Sequence, residues 1–243
     1  MTISLVIPAY NERRYIRNAL EAALKNGKGK FLEILVVDNA STDDTARVAA
    51  SFPGVRVVRE ERKGTGNARQ TGFEQAKGEV VAYVDADTLI PEGWVEAIER
   101  AFRDPEVVFL SGPFRYYESK RYPIWLLNAI WWVTPPIYWA VGYMGNTGNC
   151  AIRASALRAA GGYDRSISFY GDDTDLARRM HKVGKSLWRL GFNDYSSGRR
   201  FDEQGIIKSC WIYLLNYWWP VIFHRPYTPG IHPVKSQEAP AQQ

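Results

Sequence analysis

Two carboxylates separated by one residue follow an apolar segment near the middle of the chain. Residues 79–84 are directly followed by Asp85-Ala86-Asp87. Side chains spaced i, i+2 at the end of a strand can turn toward the same cleft. Hard divalent cations take oxygen ligands and commonly keep substrate phosphates in their remaining positions. A cation held here would neutralise the charge that builds on a leaving diphosphate. A solvated acidic turn is the alternative interpretation, because Asp-x-Asp is common.

A second acidic cluster opens a predicted helix. It contains Asp172, Asp173 and Asp175, and the helix dipole favours acidic side chains in a first turn, so helix capping is the alternative interpretation. At ~100° per residue, Asp173 is expected to point about 30° from the centre of the apolar face, Asp172 about 70° and Asp175 about 130°. A carboxylate directed toward the protein is a candidate general base, which favours Asp173. Asp175 is expected to be solvated or paired with Arg178 or Arg179.

Two further segments have the composition of a nucleotide site. Asp38 follows the apolar residues 35–37, and an acidic side chain there can accept hydrogen bonds from a ribose or a base. A helix-entry role near Ser41 is compatible with that interpretation. Residues 64–69 resemble a dinucleotide fingerprint, but Arg69 stands at the third glycine and the segment follows the third strand, so no NAD site is expected. The hypothesis that remains for this segment is that Arg69, at the start of a helix, lies near a phosphate or a base of the ligand.

The elements that position these residues alternate along the chain. Asn11 is expected to cap the first helix, Gly27 to end it, and Ser41 with Asp44 to form a capping box for the second. Strands are predicted at 3–7, 32–37, 55–58, 79–84, 107–110 and 149–153, and later helices at 172–183 and 209–223. This order predicts an α/β fold with a Rossmann-type, mainly parallel sheet flanked by helices. Ligands of such sheets bind at the carboxyl ends of the strands.

Composition sets the protein class. The chain has 243 residues, 46% hydrophobic and 23% charged, which is ordinary for a globular protein and excludes disorder as the main state. Cys150 and Cys210 cannot form a disulfide framework, so a reducing compartment is expected. The start of the chain has no basic region and predicts a strand rather than a signal peptide. A net charge of +5 without a basic stripe does not predict nucleic-acid binding.

Two aromatic segments in the second half carry no charge. Residues 124–144 include Pro135-Pro136 in the middle and tryptophan throughout, a pattern that disfavours a simple membrane span. Residues 209–223 are short for a span, and basic residues flank both segments. Such segments are typical of elements that lie on anionic lipid, which would place the protein in the cytoplasm, peripherally on the inner face of the cytoplasmic membrane. The alternatives are a packed aromatic subdomain over the sheet edge and a homodimer face.

Seven short motifs occur in a characteristic order along the chain. They are VIPAYNE (6–12), VVDNASTD (36–43), ARQTG (68–72), YVDAD (83–87), GNCAIR (148–153), GYD (162–164) and DDTDL (172–176). In these motifs the chain resembles an inverting family 2 glycosyltransferase of GT-A fold, over roughly residues 2–183. One motif alone would be weak, whereas seven in order are specific.

The resemblance implies transfer of a sugar from a nucleotide-diphosphate donor to a hydroxyl of a lipid-linked or saccharide acceptor, for a glycolipid or cell-surface polysaccharide. It assigns Mg²⁺ or Mn²⁺ to Asp87 and the catalytic base to Asp173, with Asp172 at the position of the family's glutamate, so that either carboxylate is a candidate. It assigns substrate binding to Pro8, Ala9, Tyr10, Glu12, Asp38, Arg69, Asp85 and Ala86. An inactive nucleotide-sugar-binding or scaffold protein of the same fold is the alternative.

The predicted domain organisation follows from these assignments. Residues 1–200 form the catalytic domain, with the nucleotide-sugar-binding half at 1–112 and the acceptor half at 113–200. Residues 201–225 form an aromatic helical appendage and residues 226–243 a flexible tail. The basic pair Arg199-Arg200 is a further candidate for contact with the donor diphosphate.

Overall fold

The predicted strands form the greater part of one seven-stranded sheet in a computed structural model that describes residues 1–167 and 171–223. The strands are β1 (Ile3–Ala9), β2 (Phe31–Asp38), β3 (Val55–Arg59), β4 (Val80–Val84), β5 (Thr88–Leu89), β6 (Val107–Ser111), β7 (Phe114–Glu118), β8 (Asn149–Arg153), β9 (Lys185–Trp188) and β10 (Asp194–Ser197). The large sheet has the order β3-β2-β1-β4-β8-β6-β9. Its pairs are parallel except that β8 runs antiparallel to β4 and β6, which confirms the mainly parallel sheet.

Helices cover both faces of this sheet. They are α1 (Ile16–Gly27), α2 (Thr45–Ala50), α3 (Thr65–Gln75), α4 (Trp94–Ala101), α5 (Ile124–Ala129), a 3₁₀ helix (Ile130–Val133), α6 (Thr134–Val141), α7 (Ala154–Ala159), α8 (Asp172–Val183), α9 (Arg199–Gln204) and α10 (Ile206–Phe223). Strand side chains alternate between the faces: Leu5 and Ile7 pack with α1 and α4, whereas Val6 packs with α3 and α8. The sheet is therefore buried on both sides.

The two helix caps predicted from the sequence are wrong. Helix α1 begins at Ile16, and Asn11 instead takes the left-handed conformation at φ 56°. Its side-chain oxygen accepts a hydrogen bond from the Thr42 backbone N at 2.8 Å, and its backbone N donates to Ser41 Oγ at 3.0 Å. Helix α2 begins at Thr45 without a side-chain cap. These polar side chains instead connect the loops that follow β1 and β2, because those loops meet at one edge of the sheet.

A second, three-stranded sheet has the order β5-β10-β7 and was not predicted. Strand β5 has only two residues and directly follows the Asp-x-Asp segment, and β10 pairs antiparallel with it. Strand β10 also pairs in parallel with β7. This small sheet brings residues from the end of the catalytic region beside Asp85 and Asp87.

The two aromatic segments are helical and lie next to each other. The Ile206 backbone N donates to the Tyr122 hydroxyl at 3.1 Å, and the Tyr217 hydroxyl donates to the Tyr143 carbonyl at 3.1 Å. Across residues 1–167 and 171–223, none of the helices combines the length and hydropathy that a bilayer crossing requires. The tail predicted at 226–243 lies outside the described residues, and the division at 112 and 200 stays a prediction.

Candidate active site

Arg69 joins the two acidic clusters that are far apart in the sequence. It lies on α3 with 5% of its side chain exposed. Its Nη2 donates to Asp85 Oδ1 at 3.0 Å, and its Nη1 donates to Asp172 Oδ2 at 2.5 Å. Burial alone lowers the pKa of Arg69, but Asp172, Asp85 and Asp173 outweigh it and raise that pKa above its ordinary value. The guanidinium is therefore a fixed positive charge at the floor of the cleft.

Thr147 holds the other acidic side chain at this point. Its backbone N donates to Asp173 Oδ1 at 2.6 Å, its hydroxyl contacts the same oxygen, and that hydroxyl lies 3.3 Å from Asp172 Oδ2. Burial and the neighbouring Asp173 carboxylate raise the pKa of Asp172 to about 7, against the effect of Arg69. Two carboxylates at the start of α8 therefore differ in environment: one is tied to Arg69 and one to Thr147.

The angles predicted on the helical wheel misjudge these side chains. Asp172 is the buried one and Asp173 is only partly buried, the reverse of the predicted order, because Arg69 and Thr147 lie beyond the N-terminus of α8 and draw the first turn toward them. Asp175 forms ion pairs with Arg178 at 3.1 Å and Arg179 at 2.8 Å, which confirms its predicted pairing. A helical wheel takes account only of neighbours along the side of a helix and not of residues beyond its end.

Arg199 lies between two predicted site residues. Its Nη1 and Nη2 donate to the two carboxylate oxygens of Glu12 at 2.9 and 2.5 Å, and Nη2 lies 3.1 Å from Asp87 Oδ2. Burial raises the pKa of Glu12 to about 7, although Arg199 opposes that rise. Burial also raises the pKa of Asp87, again against Arg199. A guanidinium thus occupies the position next to Asp87 where a cation is predicted.

The donor set at Asp87 fits a divalent cation that is shared with a substrate. Within residues 1–167 and 171–223, no three His, Cys, Asp or Glu side chains cluster as a metal site would require. One carboxylate combined with diphosphate oxygens is, however, a ligand set that Mg²⁺ uses in nucleotide sites and that also suits Mn²⁺. The position next to Asp87 already accepts the positive charge of Arg199. The residues present therefore fit a cation that enters together with a phosphorylated ligand.

The predicted nucleoside-binding residues meet at the ends of β1 and β2. Ala9 and Asp38 are register partners. Asp38 is buried, forms an ion pair with Arg59 and accepts a hydrogen bond from the Ser41 N at 3.3 Å. Lys63 Nζ donates to the Tyr10 hydroxyl at 3.2 Å and lies 5.1 Å from the centre of its ring. Arg59 and Lys63 were not predicted. Arg59 directly follows the predicted strand at 55–58, but neither residue lies in one of the seven motifs.

The remaining predicted positions contribute differently to this edge. The side chains of Ala9 and Ala86 are buried in the core cluster under α1 and α4, so only their backbone atoms can face a ligand. Pro8 pairs in register with Val37 one residue before the end of β1. The structure therefore presents Ala9 and Ala86 at this edge by their backbone only. The predicted positions with polar side chains are Tyr10, Glu12, Asp38, Arg69, Asp85 and Asp87.

The sequence profile described as Glycosyl transferase family 2 matches residues 4–160, which is more than half of the chain. The chain belongs to glycosyl transferase family 2. The resemblance to this family found in the seven motifs is therefore confirmed.

The relatives of this chain differ from it in length. Glycosyltransferase GlyG of Streptococcus pneumoniae serotype 4 is 28% identical over 210 residues, which cover 83% of this chain and 62% of GlyG. An undecaprenyl-phosphate 4-deoxy-4-formamido-L-arabinose transferase of Pseudomonas savastanoi is 40% identical over 98 residues, covering 37% of this chain and 29% of the relative. The chain thus spans less than two thirds of either relative.

A solved structure has a fold similar to that of this chain. The mannosyltransferase PcManGT of Pyrobaculum calidifontis, in complex with GDP-Man and Mn²⁺, superimposes with a TM-score of 0.69 at 21% identity. The match covers 93% of this chain and 66% of PcManGT. The predicted GT-A-like fold of the chain is therefore confirmed.

One buried carboxylate escaped the sequence analysis. Asp194, the first residue of β10, is 0% exposed, and neither carboxylate oxygen has a hydrogen-bond partner in the described part of the chain. Burial raises its pKa well above the ordinary value, and Asp85 and Asp87 raise it further. A lone aspartate in a short polar segment carries no sequence signal. Only the pairing of β10 with β5 and β7 places it beside the Asp-x-Asp segment.

The backbone at Gly148 approaches the Asp85 carboxylate closely. A Cβ atom at Gly148 would lie 2.3 Å from Asp85 Oδ2 and 2.7 Å from Phe114 Cζ. The Asp85 backbone N also donates to the Gly148 carbonyl at 3.3 Å. A side chain at this position would therefore displace the carboxylate that Arg69 contacts.

The raised pKa of Asp172 predicts a pH dependence of stability. A carboxyl with a folded-state pKa of about 7 binds a proton that the unfolded chain has released above about pH 4. Its contribution to the free energy of unfolding is full below the unfolded pKa and is lost as the pH rises toward 7. Asp172→Asn is therefore expected to flatten the fall in melting temperature between pH 4.5 and 7. An unchanged slope, measured by thermal unfolding in matched buffers, would contradict this assignment.

Proposed function

We propose that this glycosyltransferase moves a sugar from a nucleotide-diphosphate donor to an acceptor hydroxyl, with inversion and with help from Mg²⁺ or Mn²⁺. The observation that carries the proposal is the Arg69 bridge, which places Asp85 and the Asp172-Asp173 pair around one cleft. Asp87 follows Asp85 at the same strand end. A cation-binding carboxylate and a candidate base therefore flank the same space.

The donor nucleoside would lie at the ends of β1 and β2. Asp38 would accept hydrogen bonds from the ribose or base, exchanging its contact with Arg59 for the ligand. Tyr10 and the backbone at Pro8 and Ala9 would line the same pocket. This placement follows the general position of ligands at the carboxyl ends of parallel strands.

Asp173 is the residue that we assign as base. Asp172 is buried and occupied by Arg69, whereas Asp173 is less buried and is oriented by the Thr147 N–H. Asp173 would take the proton of the acceptor hydroxyl while the oxygen of that hydroxyl attacks the anomeric carbon. The bond from that carbon to the diphosphate oxygen breaks in the same displacement, so the configuration inverts.

The departing diphosphate gains negative charge that must be balanced. A divalent cation held by Asp87 and the diphosphate supplies this neutralisation when it is bound. Arg199 sits against Asp87 and Glu12 in the described arrangement. We assign it to the diphosphate once the donor has entered, because a guanidinium pairs equally well with phosphate oxygens.

The acceptor is proposed to be a lipid-linked or saccharide molecule, and the enzyme to work peripherally at the inner face of the cytoplasmic membrane. One relative is named for undecaprenyl phosphate, a lipid carrier. That name supports the class of acceptor. The exposed tryptophan side chains of the two aromatic helical segments support the location.

Titration with donors tests the proposal. UDP-, GDP- and dTDP-sugars are titrated by calorimetry with and without Mn²⁺, on the full chain and on Asp87→Asn. We expect one nucleotide class to bind with Mn²⁺ and to lose that dependence in Asp87→Asn, but not in Asp104→Asn, which replaces a surface carboxylate paired with Lys185. Binding without any turnover would favour an inactive nucleotide-sugar-binding protein, and no binding to any donor would overturn the proposal.

A further inference from the structure

Helix α10 presents its apolar side chains outward. The exposed positions recur every three or four residues and form one stripe along the helix. They are Ile207, Trp211, Leu214, Trp218 and Ile222. The opposite face buries Ser209, Asn216 and Pro220. A helix that only covers a core has the reverse arrangement, so this stripe is available for a partner outside the described fold.

The segment formed by α5, the 3₁₀ helix and α6 repeats this arrangement. Trp125, Trp132 and Trp139 are spaced seven residues apart, and their side chains are 71%, 68% and 79% exposed. Seven residues are close to two helical turns, so these tryptophans share one side of the helical segment. The buried side carries Leu127 and Thr134. Two helical segments therefore expose tryptophan on one side each.

Contacts between the two segments place the segments side by side. Tyr122 and Ile206 are hydrogen-bonded near the start of both segments, and Tyr143 and Tyr217 near the other end. Leu127 belongs to a small core cluster against which Ile206 packs. We define the docking surface as the exposed side chains of both stripes. They are Trp125, Trp132, Trp139, Ile207, Trp211, Leu214, Trp218 and Ile222.

We propose that this docking surface binds the headgroup region of an anionic lipid bilayer. The inference rests on the proposed function for the membrane location and the lipid-linked acceptor, and it identifies the side chains that make the contact. The surface offers indole N–H groups as donors and no side-chain acceptor. Tryptophan donates but does not accept, whereas lipid phosphates and ester carbonyls only accept. Tryptophan is also the residue typical of the membrane–water interface.

A second copy of the chain matches this surface less well. A two-fold interface brings the same patch together from both subunits, so indole donors would face indole donors. Protein interfaces of ordinary size carry about one hydrogen bond per 100–200 Å², and two copies of the docking surface would leave its indole donors without side-chain acceptors. A bilayer satisfies the donors and buries the apolar side chains at once.

Charge at one end of the surface favours anionic lipid. Lys120, Arg121 and Lys208 are exposed where the two segments begin, alongside the exposed Glu203. Asp202, also at this end, accepts hydrogen bonds from the backbone N atoms of Lys120 and Arg121. The lysine and arginine side chains point to an attraction that falls with added salt.

Flotation with vesicles tests the inference on the full chain. Vesicles of phosphatidylcholine with phosphatidylglycerol are compared with vesicles of phosphatidylcholine alone. We expect flotation with the anionic vesicles, a loss of about tenfold in membrane partitioning for each of Trp132→Ser and Trp211→Ser, and a weaker salt dependence in Lys120→Gln. Leu32→Gln, which replaces an exposed apolar residue on β2 away from the surface, is the matched control and is expected to float like the original chain.

Two results would overturn the inference. One is unchanged partitioning of both tryptophan variants, or no flotation of the original chain. The other is a detergent-free dimer that the same two variants dissociate, which would make a second copy the occupant. Donor titration of the variants in solution separates the two proposals, since lost flotation with normal donor binding concerns only the docking surface. Flotation without donor binding would concern only the proposed function.

Discussion

Replacing Asp173 by asparagine is expected to lower kcat by about 10²–10⁴-fold with little change in donor affinity. The amide keeps the shape of the side chain and can still accept a hydrogen bond from the Thr147 N, which is 2.6 Å from Oδ1. It cannot take the proton of an acceptor hydroxyl at neutral pH. The loss therefore appears in the chemical step, measured by single-turnover transfer with saturating donor, and calorimetry of the donor checks that binding is retained.

The neighbouring carboxylates provide the controls. Asp175→Asn changes the same helical turn, but that residue pairs with Arg178 and Arg179 outside the cleft, so most of the activity is expected to remain. Asp172→Asn removes a partner of Arg69, and its effect is expected on donor binding as well as on kcat. If Asp172→Asn lost the larger factor in the chemical step while Asp173→Asn stayed active, the base would be Asp172.

Replacing Asp87 by asparagine is expected to lower turnover by about 10²–10⁴-fold, because charge stabilisation by a bound cation is worth several kcal/mol in the transition state. A neutral amide is a much weaker ligand for Mg²⁺ or Mn²⁺ than a carboxylate. Donor binding should at the same time become insensitive to Mn²⁺. The measurement is a Mn²⁺ titration of both donor binding and transfer rate.

Arg199→Met is the matched variant for this site. The guanidinium lies 3.1 Å from Asp87 Oδ2 and contacts both oxygens of Glu12. Its removal is expected to tighten the binding of Mn²⁺ alone, since it frees Asp87, and to weaken binding of the donor, since it removes a phosphate contact. Equal losses of Mn²⁺ and donor binding would instead indicate that Arg199 only holds the cleft in shape. Thermal unfolding of the variant identifies that case.

The electrostatics of the cleft explain why it needs its arginines. Glu12, Asp87, Asp172 and Asp194 all have their pKa raised by burial. Folding therefore brings together carboxylates that repel one another, and Arg69 and Arg199 oppose this repulsion at the two ends of the cleft. The proposed donor and divalent cation would bind as a neutral pair and so leave this balance almost unchanged.

Local sequence patterns determined the layered α/β fold. The apolar segments at β1, β2 and β4 are local features, because strands that are buried on both faces are continuously apolar. The positions just after the strands followed from the same reasoning, since parallel strands end at one edge. Their position just after a strand is sufficient to make Asp38, Asp85 and Asp87 candidates for the site.

Tertiary structure alone decided how the cleft is completed. Arg69 contacts Asp172, which is 103 positions away, and Arg199 contacts Glu12, which is 187 positions away. Asp194 is buried near Asp85 and Asp87, which are more than 100 positions away. The positions of Arg199 and Asp194 depend on the small sheet in which β10 joins β5 and β7, and a two-residue strand such as β5 has no periodicity that the sequence could reveal. The helix caps at Asn11 and Ser41 failed for the same reason, because their hydrogen bonds go to another loop. A side chain's partner across the fold is set by the packing of whole elements, which no local pattern encodes.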